Sequence, residues 1–520
     1  MAVPAGVRVL PLALASALIV RPVAQAADDD APRVDAVAFA ASAGRDAGPR
    51  AEALLRFYES REYRPAWTKG ARLSRQGAAL LRVLSAAGRE GLPPERYWHP
   101  VFDAKDAADP ATMGEIELRL TDAFLRYASD VGQGRFDPAG SNPYWAQRTP
   151  SVDVGAVLRE AVESRDVART LEGLLPRTSQ YAALREALVR YRGIAEKGGW
   201  PTALPARLTL RPGQRGQGVA ALRARLSAEG DLRGSVPPAR AEVFDDALAA
   251  AVKRFQLRHG LETSGALDRP TVAALNVPVE ERIRQIELNL ERWRWLAPSL
   301  TDRFVLVNIP AFELHGFDRD RPVLRMRVVT GNAAKTPTPV FGRPMTRVVF
   351  RPYWNVPTSI AEAEIMPAVY RDRDYLRRRN MELVKGDGGV QLRQRPGPGN
   401  ALGLVKFLLP NPFGVYLHDT PEDGLFARAR RDKSHGCVRV ERPFELARFA
   451  LSGAPEWTPA RIRAAAARDP EQPVALPEPL PVFITYFTAW ADADGVTRFL
   501  PDLYEHDADQ LRILDRGEVD

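Results

Sequence analysis

The stretch Ser434-His435-Gly436-Cys437-Val438-Arg439 decides how the rest of the chain is interpreted. Cys437 is the only cysteine among 520 residues. It therefore cannot form an intramolecular disulfide, and it is either an intermolecular partner or a free reactive thiol. A thiol has a pKa of about 8.5 and needs a nearby base or positive charge to become a nucleophilic thiolate. Because a histidine precedes Cys437 and Arg439 follows it, the stretch predicts a nucleophilic cysteine.

Two histidines are candidates for the base that activates this thiol. His418 ends the apolar run Gly414–His418, which reads as a strand, and a strand terminus holds a side chain rigidly. We predict that His418 is the base and that Asp419, or its backbone carbonyl, fixes the imidazole tautomer. His435 is closer in sequence, but two residues along a loop do not guarantee that it faces the thiol, so we expect it to structure the loop.

Several neighbours supply the hydrogen bonds and charge that acyl transfer requires. Gly436 permits positive φ and a close approach to a substrate. The amides of Gly436 and Cys437 are therefore predicted oxyanion donors. The Tyr416 hydroxyl lies two residues before His418, hence on the same strand face, and is a third candidate. Arg439 can pair with a substrate carboxylate or with an acid of the loop.

The N-terminus predicts export. A basic residue, Arg8, precedes the apolar run Val9–Val20, and Ala24-Gln25-Ala26 follows as a cleavage site. The apolar run is too short to span a bilayer and no later segment is continuously apolar over 18 residues, so we expect no stable membrane span after cleavage. The net charge is +8, but no basic run interleaved with aromatics suggests nucleic-acid binding.

Periodicity and composition predict a multidomain α+β protein. Apolar residues recur at helical spacing in the first half, and β-type runs rich in branched residues begin near Arg303. The predicted units are a signal peptide (1–26), a helical scaffold domain (27–205), a three-helix domain (206–280), a connecting helix (281–302) and a β-rich domain (303–520) with an inserted cap at about 360–400. We expect a helix over Ile360–Arg378 and a mobile cap above the site.

Residues Leu208–Asn276 contain the segments VAALRARL, AVKRFQLRHGL and TVAALN. Their order and spacing resemble the small three-helix peptidoglycan-binding domain that accompanies many wall enzymes. Thr271 is expected to support the N-terminus of the third helix. A bundle of this size is too small to hold a catalytic cleft, which favours a binding role.

The C-terminal domain resembles the catalytic domain of the L,D-transpeptidases, with its YkuD-type fold. The matching segments are VNIPAFEL (307–314), VVTGNAAKTPTPVF (328–341), PYWNVP (352–357), YLHDTP (416–421) and SHGCVRV (434–440). The helical region, the binding module and the cap together resemble the large periplasmic members that form 3→3 crosslinks.

This resemblance implies specific roles. It makes Cys437 the nucleophile and His418 the base, and it assigns Ser434, Gly436 and Arg439 to the family's serine, glycine and arginine. Trp354, in the PYWNVP segment, is assigned with Arg439 to substrate binding, and Asp419 takes a position where smaller relatives often have glycine. The implied substrates are peptidoglycan tetrapeptide stems, as donor and acceptor, in the periplasm of a Gram-negative envelope. It further implies possible contacts with other wall-synthesis enzymes, acylation by carbapenems, and no metal or cofactor.

Three alternatives stay open. His418, His435 and Cys437 could be zinc ligands, although the chain has no CxxC, HxH or HExxH arrangement. A cysteine peptidase or amidase of wall peptides would use the same pair of residues with water as acceptor. A scaffold that only binds peptidoglycan would be indicated by loss of Cys437 or His418, and both are present. The sequence does not decide whether the acceptor is a second stem, a lipoprotein or a free D-amino acid.

Overall fold

The computed structural model describes most of the chain. The described residues are 34–36, 48–104, 109–140, 142–147, 149, 151–200, 203–234, 237, 240–386, 389–492 and 494–516. The predicted signal peptide, residues 1–26, lies outside them. Within the described residues, no helix is both long and apolar enough to cross a membrane.

The first part of the described chain is helical, as predicted. Its elements are α1 (Gly48–Ser60), β1 (Thr68–Lys69), β2 (Arg72–Leu73), α2 (Arg75–Ser85), α3 (Pro110–Gln133), α4 (Val154–Glu163), α5 (Val167–Glu172) and α6 (Ser179–Ala195). Helix α3 begins where the Asp109 carboxylate accepts hydrogen bonds from the amides of Ala111 and Thr112. Its buried residues Ile116 and Phe124 contribute to the core of this region.

Three short helices follow: α7 (Gln217–Ala228), α8 (Asp246–Arg258) and α9 (Arg269–Leu275). Val219 and Leu222 of α7 pack with Phe255 of α8 in a separate small core. Thr271 was expected to support the N-terminus of the third helix, but its side chain does not cap that helix. The α9 cap is Asp268, whose side chain accepts from the Thr271 amide, while the Thr271 hydroxyl accepts from Gln256 inside the bundle.

A long helix, α10 (Val279–Leu296), leads into the C-terminal domain. The strands of its main sheet are β3 (Arg303–Asn308), β4 (Glu313–Asp318), β5 (Arg321–Gly331), β6 (Phe341–Phe350), β10 (Val405–Leu408), β11 (Leu417–His418), β12 (Asp432–Ser434), β13 (Val438–Val440) and β14 (Gln472–Thr485). The strand order is β12-β5-β13-β11-β10-β6-β14-β3-β4. The sheet closes on itself because β5 pairs with β4 through its first part and with β13 through its end.

The core of the C-terminal domain lies on one face of this sheet, under two helices. Helices α14 (Pro443–Ala450) and α15 (Pro459–Ala467) pack there, with Leu446 and Ile462 in the same apolar cluster as Val438. The sequence did not predict β4. Its residues Glu313–Asp318 contain no β-branched side chain and no alternation, because four consecutive positions are buried.

The cap is a small α/β unit rather than the helix predicted over Ile360–Arg378. It consists of β7 (Trp354–Asn355), α11 (Thr358–Ile360), a π-helical turn (Ala361–Ile365), α12 (Met366–Arg371), α13 (Tyr375–Arg378), β8 (Met381–Gly386) and β9 (Gly389–Gln394). The helical run ends at Asp372, which is extended. The strands form a separate sheet of order β7-β9-β8, over a core of Val356, Ile365 and Leu392.

The C-terminal segment joins the parts together. It contains the hairpin β15 (Ala489–Ala491) and β16 (Thr497–Phe499), and helix α16 (His506–Arg516). Trp293 of α10 stacks on Phe487, with ring centroids 4.6 Å apart, and shares a buried cluster with Tyr191 of α6. The three-helix unit also docks here, because Arg258 of α8 donates to the Thr497 carbonyl at 3.4 Å.

Candidate active site

The candidate site is built by the pairing of three neighbouring strands. Strand β11 pairs in parallel with β13, placing His418 opposite Arg439. On its other side β11 pairs with β10, placing His418 opposite Lys406. Directly opposed residues project from the same face of a sheet. The imidazole therefore lies in a row between two cationic side chains.

His418 is held in one orientation and one charge state. It is 5% exposed, and its Nδ1 is 2.5 Å from the backbone carbonyl oxygen of Asp419. A carbonyl can only accept, so Nδ1 carries the proton and Nε2 has a free lone pair. Burial, assisted by the charges of Arg439 and Lys406, lowers the pKa of His418 to about 3. The ring is therefore a neutral base at physiological pH.

Of the two options considered for Asp419, the backbone carbonyl lies against the imidazole. The Asp419 carboxylate faces away and accepts from the amides of Leu404, at 2.7 Å, and Thr420, at 2.7 Å. Burial raises its pKa, while those two amides oppose the shift. Asp419 thus closes the turn that presents His418, and its carboxylate makes no hydrogen bond to the ring.

The Cys437 thiol lies next to Tyr416, one row from His418. Val438 donates its amide to the Tyr416 carbonyl at 3.1 Å, which sets the two residues side by side. Burial raises the pKa of the thiol, while hydrogen bonds from the Tyr416 amide and hydroxyl and the charges of Lys406 and Arg439 oppose the shift. The Sγ atom is also 3.9 Å from the Gly414 carbonyl. No hydrogen bond in the described part of the chain joins Cys437 to His418. Because burial raises the pKa of the thiol and lowers the pKa of the imidazole, both groups rest in the neutral form.

The loop before Cys437 is a tight turn tied together by Ser434. Its hydroxyl donates to the Cys437 carbonyl at 2.5 Å and accepts the Gly436 amide at 3.2 Å. Gly436 has φ of 110°, a conformation that favours glycine. The Thr338 hydroxyl donates to the Gly436 carbonyl at 2.8 Å. The Gly436 amide, a predicted oxyanion donor, is therefore engaged within the loop in this structure.

The Tyr416 hydroxyl is positioned from two sides. Burial raises the pKa of this phenol, the neighbouring Cys437 adds to the shift, and a hydrogen bond from Trp354 opposes it. Trp354 belongs to the cap strand β7, so the cap reaches the phenol directly. Lys406 places its ammonium 3.9 Å from the centroid of the Tyr416 ring. The phenol remains protonated and able to donate a hydrogen bond beside the thiol.

Arg439 and His435 both contact acids near the entrance. Arg439 forms an ion pair with Glu422, and its Nε has no hydrogen-bond partner among the described residues. His435 Nε2 is 2.6 Å from Oε1 of Glu364, in the π-helical turn of the cap. His435 therefore connects the loop to the cap and does not point at Cys437.

Two open cavities are lined by residues that neighbour Cys437. One, of about 210 Å³, is under the cap and is lined by Trp354, Glu422 and Arg439 among others. The other, of about 690 Å³, is largely apolar and includes Leu409, Gly414 and Tyr416 in its wall. Arg439 is the neighbour of Cys437 that lines the first cavity, and Tyr416 is the one that lines the second. Within the described residues, no group of three or more His, Cys, Asp or Glu side chains is arranged to hold a metal ion.

Sequence reasoning missed three charged residues of the site. Glu364 and Glu422 do not adjoin Cys437 in the sequence, and no local pattern predicts their contacts with His435 and Arg439. Lys406 left a faint signal, because it is a charge inside the otherwise apolar strand Val405–Leu408.

Family comparisons match three successive parts of the chain. Residues 52–188 match "Scaffold domain", residues 215–275 match "Putative peptidoglycan binding domain", and residues 302–462 match "L,D-transpeptidase catalytic domain". The order of the three units is the one predicted from the sequence.

One curated relative and several solved structures are similar to the chain. A "Putative L,D-transpeptidase" of Haemophilus influenzae is 32% identical over 241 residues, which is 43% of this chain and 48% of the relative. The chain thus spans about half of that relative's length. Similar solved structures include an L,D-transpeptidase from Mycobacterium smegmatis (13% identity, 35% of this chain, 58% of the other, TM-score 0.20). Another is from Stackebrandtia nassauensis (15%, 53%, 94%, TM-score 0.21). TM-scores of this size support no conclusion about this chain.

Proposed function

Since this chain carries an L,D-transpeptidase catalytic domain behind a scaffold domain and a peptidoglycan-binding domain, we propose that it forms 3→3 crosslinks between peptidoglycan stems through a cysteine thioester. The observation that carries the proposal is the pairing of β11 with β13. That pairing brings the only thiol of the chain, a neutral imidazole and a phenol donor onto one sheet face.

In the first half-reaction, the Cys437 sulfur attacks the carbonyl carbon of the L-centre of diaminopimelate, at its bond to the terminal D-Ala of a tetrapeptide stem. His418 Nε2 takes the thiol proton as the S–C bond forms, because the resting pair is neutral. The tetrahedral intermediate then collapses, the C–N bond breaks, and His418 returns the proton to the departing D-Ala amine. The products are free D-Ala and a thioester on Cys437.

The oxyanion of this intermediate needs donors that do not have to reorganise. The Tyr416 hydroxyl is the best placed, since it lies beside the thiol and remains protonated. The Cys437 amide has no acceptor among the hydrogen bonds found in the described residues and is a second donor. The Gly436 amide would contribute only if substrate displaced the Ser434 hydroxyl from it.

In the second half-reaction, the side-chain amine of an acceptor diaminopimelate attacks the thioester. His418 removes a proton from the attacking nitrogen, a C–N bond forms, the C–S bond breaks, and the proton passes from His418 to the departing Cys437 sulfur. The cavity lined by Arg439 and the cavity lined by Tyr416 would give donor and acceptor separate approaches. Water in place of the amine would make the protein a cysteine peptidase or amidase.

Substrate binding is assigned to the cap side of the site. Arg439 would exchange its exposed partner Glu422 for a stem carboxylate, since arginine pairs well with carboxylates of either origin. Trp354, held by its bond to Tyr416, would pack against the stem. The three-helix module would hold the wall polymer. Because that polymer lies outside the cytoplasm, we place the mature protein in the periplasm. We also propose contacts with other wall-synthesis enzymes.

The test is mass spectrometry of muropeptides after the protein without residues 1–26 is incubated with tetrapeptide-rich sacculi. The expected products are dimers with a 3→3 linkage, together with free D-Ala. Tripeptide monomers without such dimers would identify a hydrolase instead. Cys437→Ala should produce neither, and it should also lose the mass adduct that a carbapenem forms with the wild type. Crosslinking by Cys437→Ala would refute the proposal.

A further inference from the structure

Lys406 is a cation in an unusual place. It lies in β10, a central strand of the main sheet, between Val349 of β6 and His418 of β11. Its side chain is half-buried, and no carboxylate within the described residues lies at ion-pair distance from it. Removing an ammonium from water without a paired anion costs free energy, so such groups persist where their charge has a use.

The Lys406 side chain extends toward the thiol. Its ammonium lies over the Tyr416 ring, 3.9 Å from the centroid, and the Tyr416 hydroxyl is hydrogen-bonded to Cys437. Burial lowers the pKa of Lys406, and interactions with Cys437 and Glu471 oppose that shift. Lysine and thiol therefore each favour the charged form of the other.

The remaining charged groups around the thiol do not duplicate this function. The charge of Arg439 is shared with Glu422. His418 is neutral, and His435 is turned to Glu364. Glu471, the acid with an electrostatic effect on Lys406, accepts the Tyr353 amide at 2.9 Å. Of the two cations whose charge acts on the Cys437 thiol, Lys406 is thus the one without an ion-pair partner among the described residues.

We propose that Lys406 is a positioning residue whose ammonium stabilises the negative charge that forms on Cys437 Sγ and orients the Tyr416 ring beside it. The proposal rests on Cys437 being the nucleophile of the proposed function. The Lys406 ammonium would assist proton transfer from the Cys437 thiol to the His418 imidazole, because both groups are neutral before the transfer. When the thioester forms, that charge also favours the approach of anionic stems over neutral ones.

The test measures how fast iodoacetamide alkylates Cys437 between pH 5.5 and pH 10. The chain has one cysteine, so intact mass reports this thiol alone, and no peptidoglycan is needed. Lys406→Met should raise the midpoint of the rate profile by about one pH unit, which means about tenfold slower alkylation at pH 7. The plateau rate at high pH should not change, and Lys406→Arg should restore the midpoint.

The matched control is Lys433→Met. Lys433 is exposed on β12 and lies close to Cys437 in sequence. Its replacement by Met should leave the midpoint of the alkylation profile unchanged. Melting curves check that each variant folds, and Lys406→Gln replaces Lys406→Met if the latter does not. An unchanged midpoint in a folded, neutral Lys406 variant would overturn the proposal. That outcome is separate from a failure of crosslinking, because alkylation reads only the ionisation of the thiol.

Discussion

His418 shows how one residue acquires its properties from its neighbours. Its ring is buried, its Nδ1 is tied to the Asp419 carbonyl, and its row partners are Lys406 and Arg439. All three circumstances disfavour a charged imidazole or restrict its orientation. In the resting protein the imidazole is therefore neutral and Nε2 has a free lone pair, which suits the role of base that we propose for it.

The two histidines near Cys437 should therefore behave differently on substitution. His418→Gln should slow acylation by a carbapenem by about 10²–10⁴-fold, because general-base assistance is lost. His435→Gln should slow it much less, since that ring contacts Glu364 and not the thiol. Stopped-flow or intact-mass kinetics would measure both rates. The opposite ranking would mean that His435 reorients to become the base.

At the scale of elements, the end of β5 supports the loop before Cys437. Gly331 faces backbone atoms on three sides: a Cβ there would lie 2.1 Å from the Thr336 oxygen, 2.7 Å from the Thr338 nitrogen and 3.0 Å from the Gly436 Cα. None of these atoms belongs to a flexible side chain. The strand and the loop can therefore approach this closely only without a side chain at position 331.

Gly331→Ala should destabilise the protein by roughly 1–3 kcal/mol or more, because overpacked backbone must move. It should also slow carbapenem acylation, since the displaced atoms adjoin Gly436. Thermal melting and intact-mass kinetics measure the two effects. Gly424→Ala is the matched control, because a Cβ there meets nothing within 4 Å. Equal stability of the two variants would contradict the packing argument.

A second element-scale contact joins the cap to the loop before Cys437. Glu364 lies in a π-helical turn, a feature that is often found at functional sites, and its carboxylate contacts His435. We predict that Glu364→Ala increases hydrogen exchange over residues 358–371. Glu362→Ala changes an exposed neighbour in the same turn and should not increase this exchange.

The cap is also predicted to be a lid. Acylation of wild-type Cys437 should therefore slow hydrogen exchange in the cap. Identical exchange in the free and acylated protein would mean that the cap does not move.

At the scale of the whole molecule, the binding module is firmly attached. Arg258 is 8% exposed and forms ion pairs with Glu229 at 2.8 Å and Asp231 at 2.6 Å, while also reaching Thr497. Deleting Leu208–Asn276 would therefore uncover the hairpin against which the module packs. Point substitutions are the cleaner way to separate binding from catalysis.

Arg258→Met should lower the melting temperature strongly, with a loss of about 3–5 kcal/mol, because it leaves the buried Asp231 without its cation and removes one of the two arginines paired with the buried Glu229. Arg207→Met, at an exposed position outside the module helices, is the control and should have little effect. Calorimetry would measure both. A small change for Arg258→Met would indicate that water enters the interface and solvates the acids.

A buried histidine links the N-terminal region to the last helix. Asn142 Nδ2 lies 3.2 Å from His506 Nδ1, and the ring packs against Trp145 and Tyr486. Burial, together with the charge of Arg292, lowers the pKa of His506 to about 4, while Asp507 and Asp509 oppose the shift. The folded protein therefore holds this ring neutral where the unfolded chain would protonate it.

Because the unfolded chain binds the extra proton, His506 contributes its full stabilisation above pH 6.5 and loses it as the pH falls from 6.5 toward about 4. At pH 5 the loss should be about 1–2 kcal/mol. Between pH 7 and pH 5, the melting temperature of wild type should thus fall further than that of His506→Asn. Parallel declines would show that the ring is solvated when the protein is folded.

The sequence by itself determined what depends on local order. It predicted the α+β class and the succession of helical, three-helix and β-rich units, because short motifs and periodicity carry those features. The nucleophilic thiol with a histidine base stays a prediction. Tertiary structure decided what depends on register and closure. Only the pairing of β10, β11 and β13 places Lys406 beside Tyr416 and His418. Only the folded loop engages the Gly436 amide with Ser434, and only the cap brings Glu364 to His435. These contacts join residues that are distant in the chain or fixed by backbone geometry, so no local pattern specifies them.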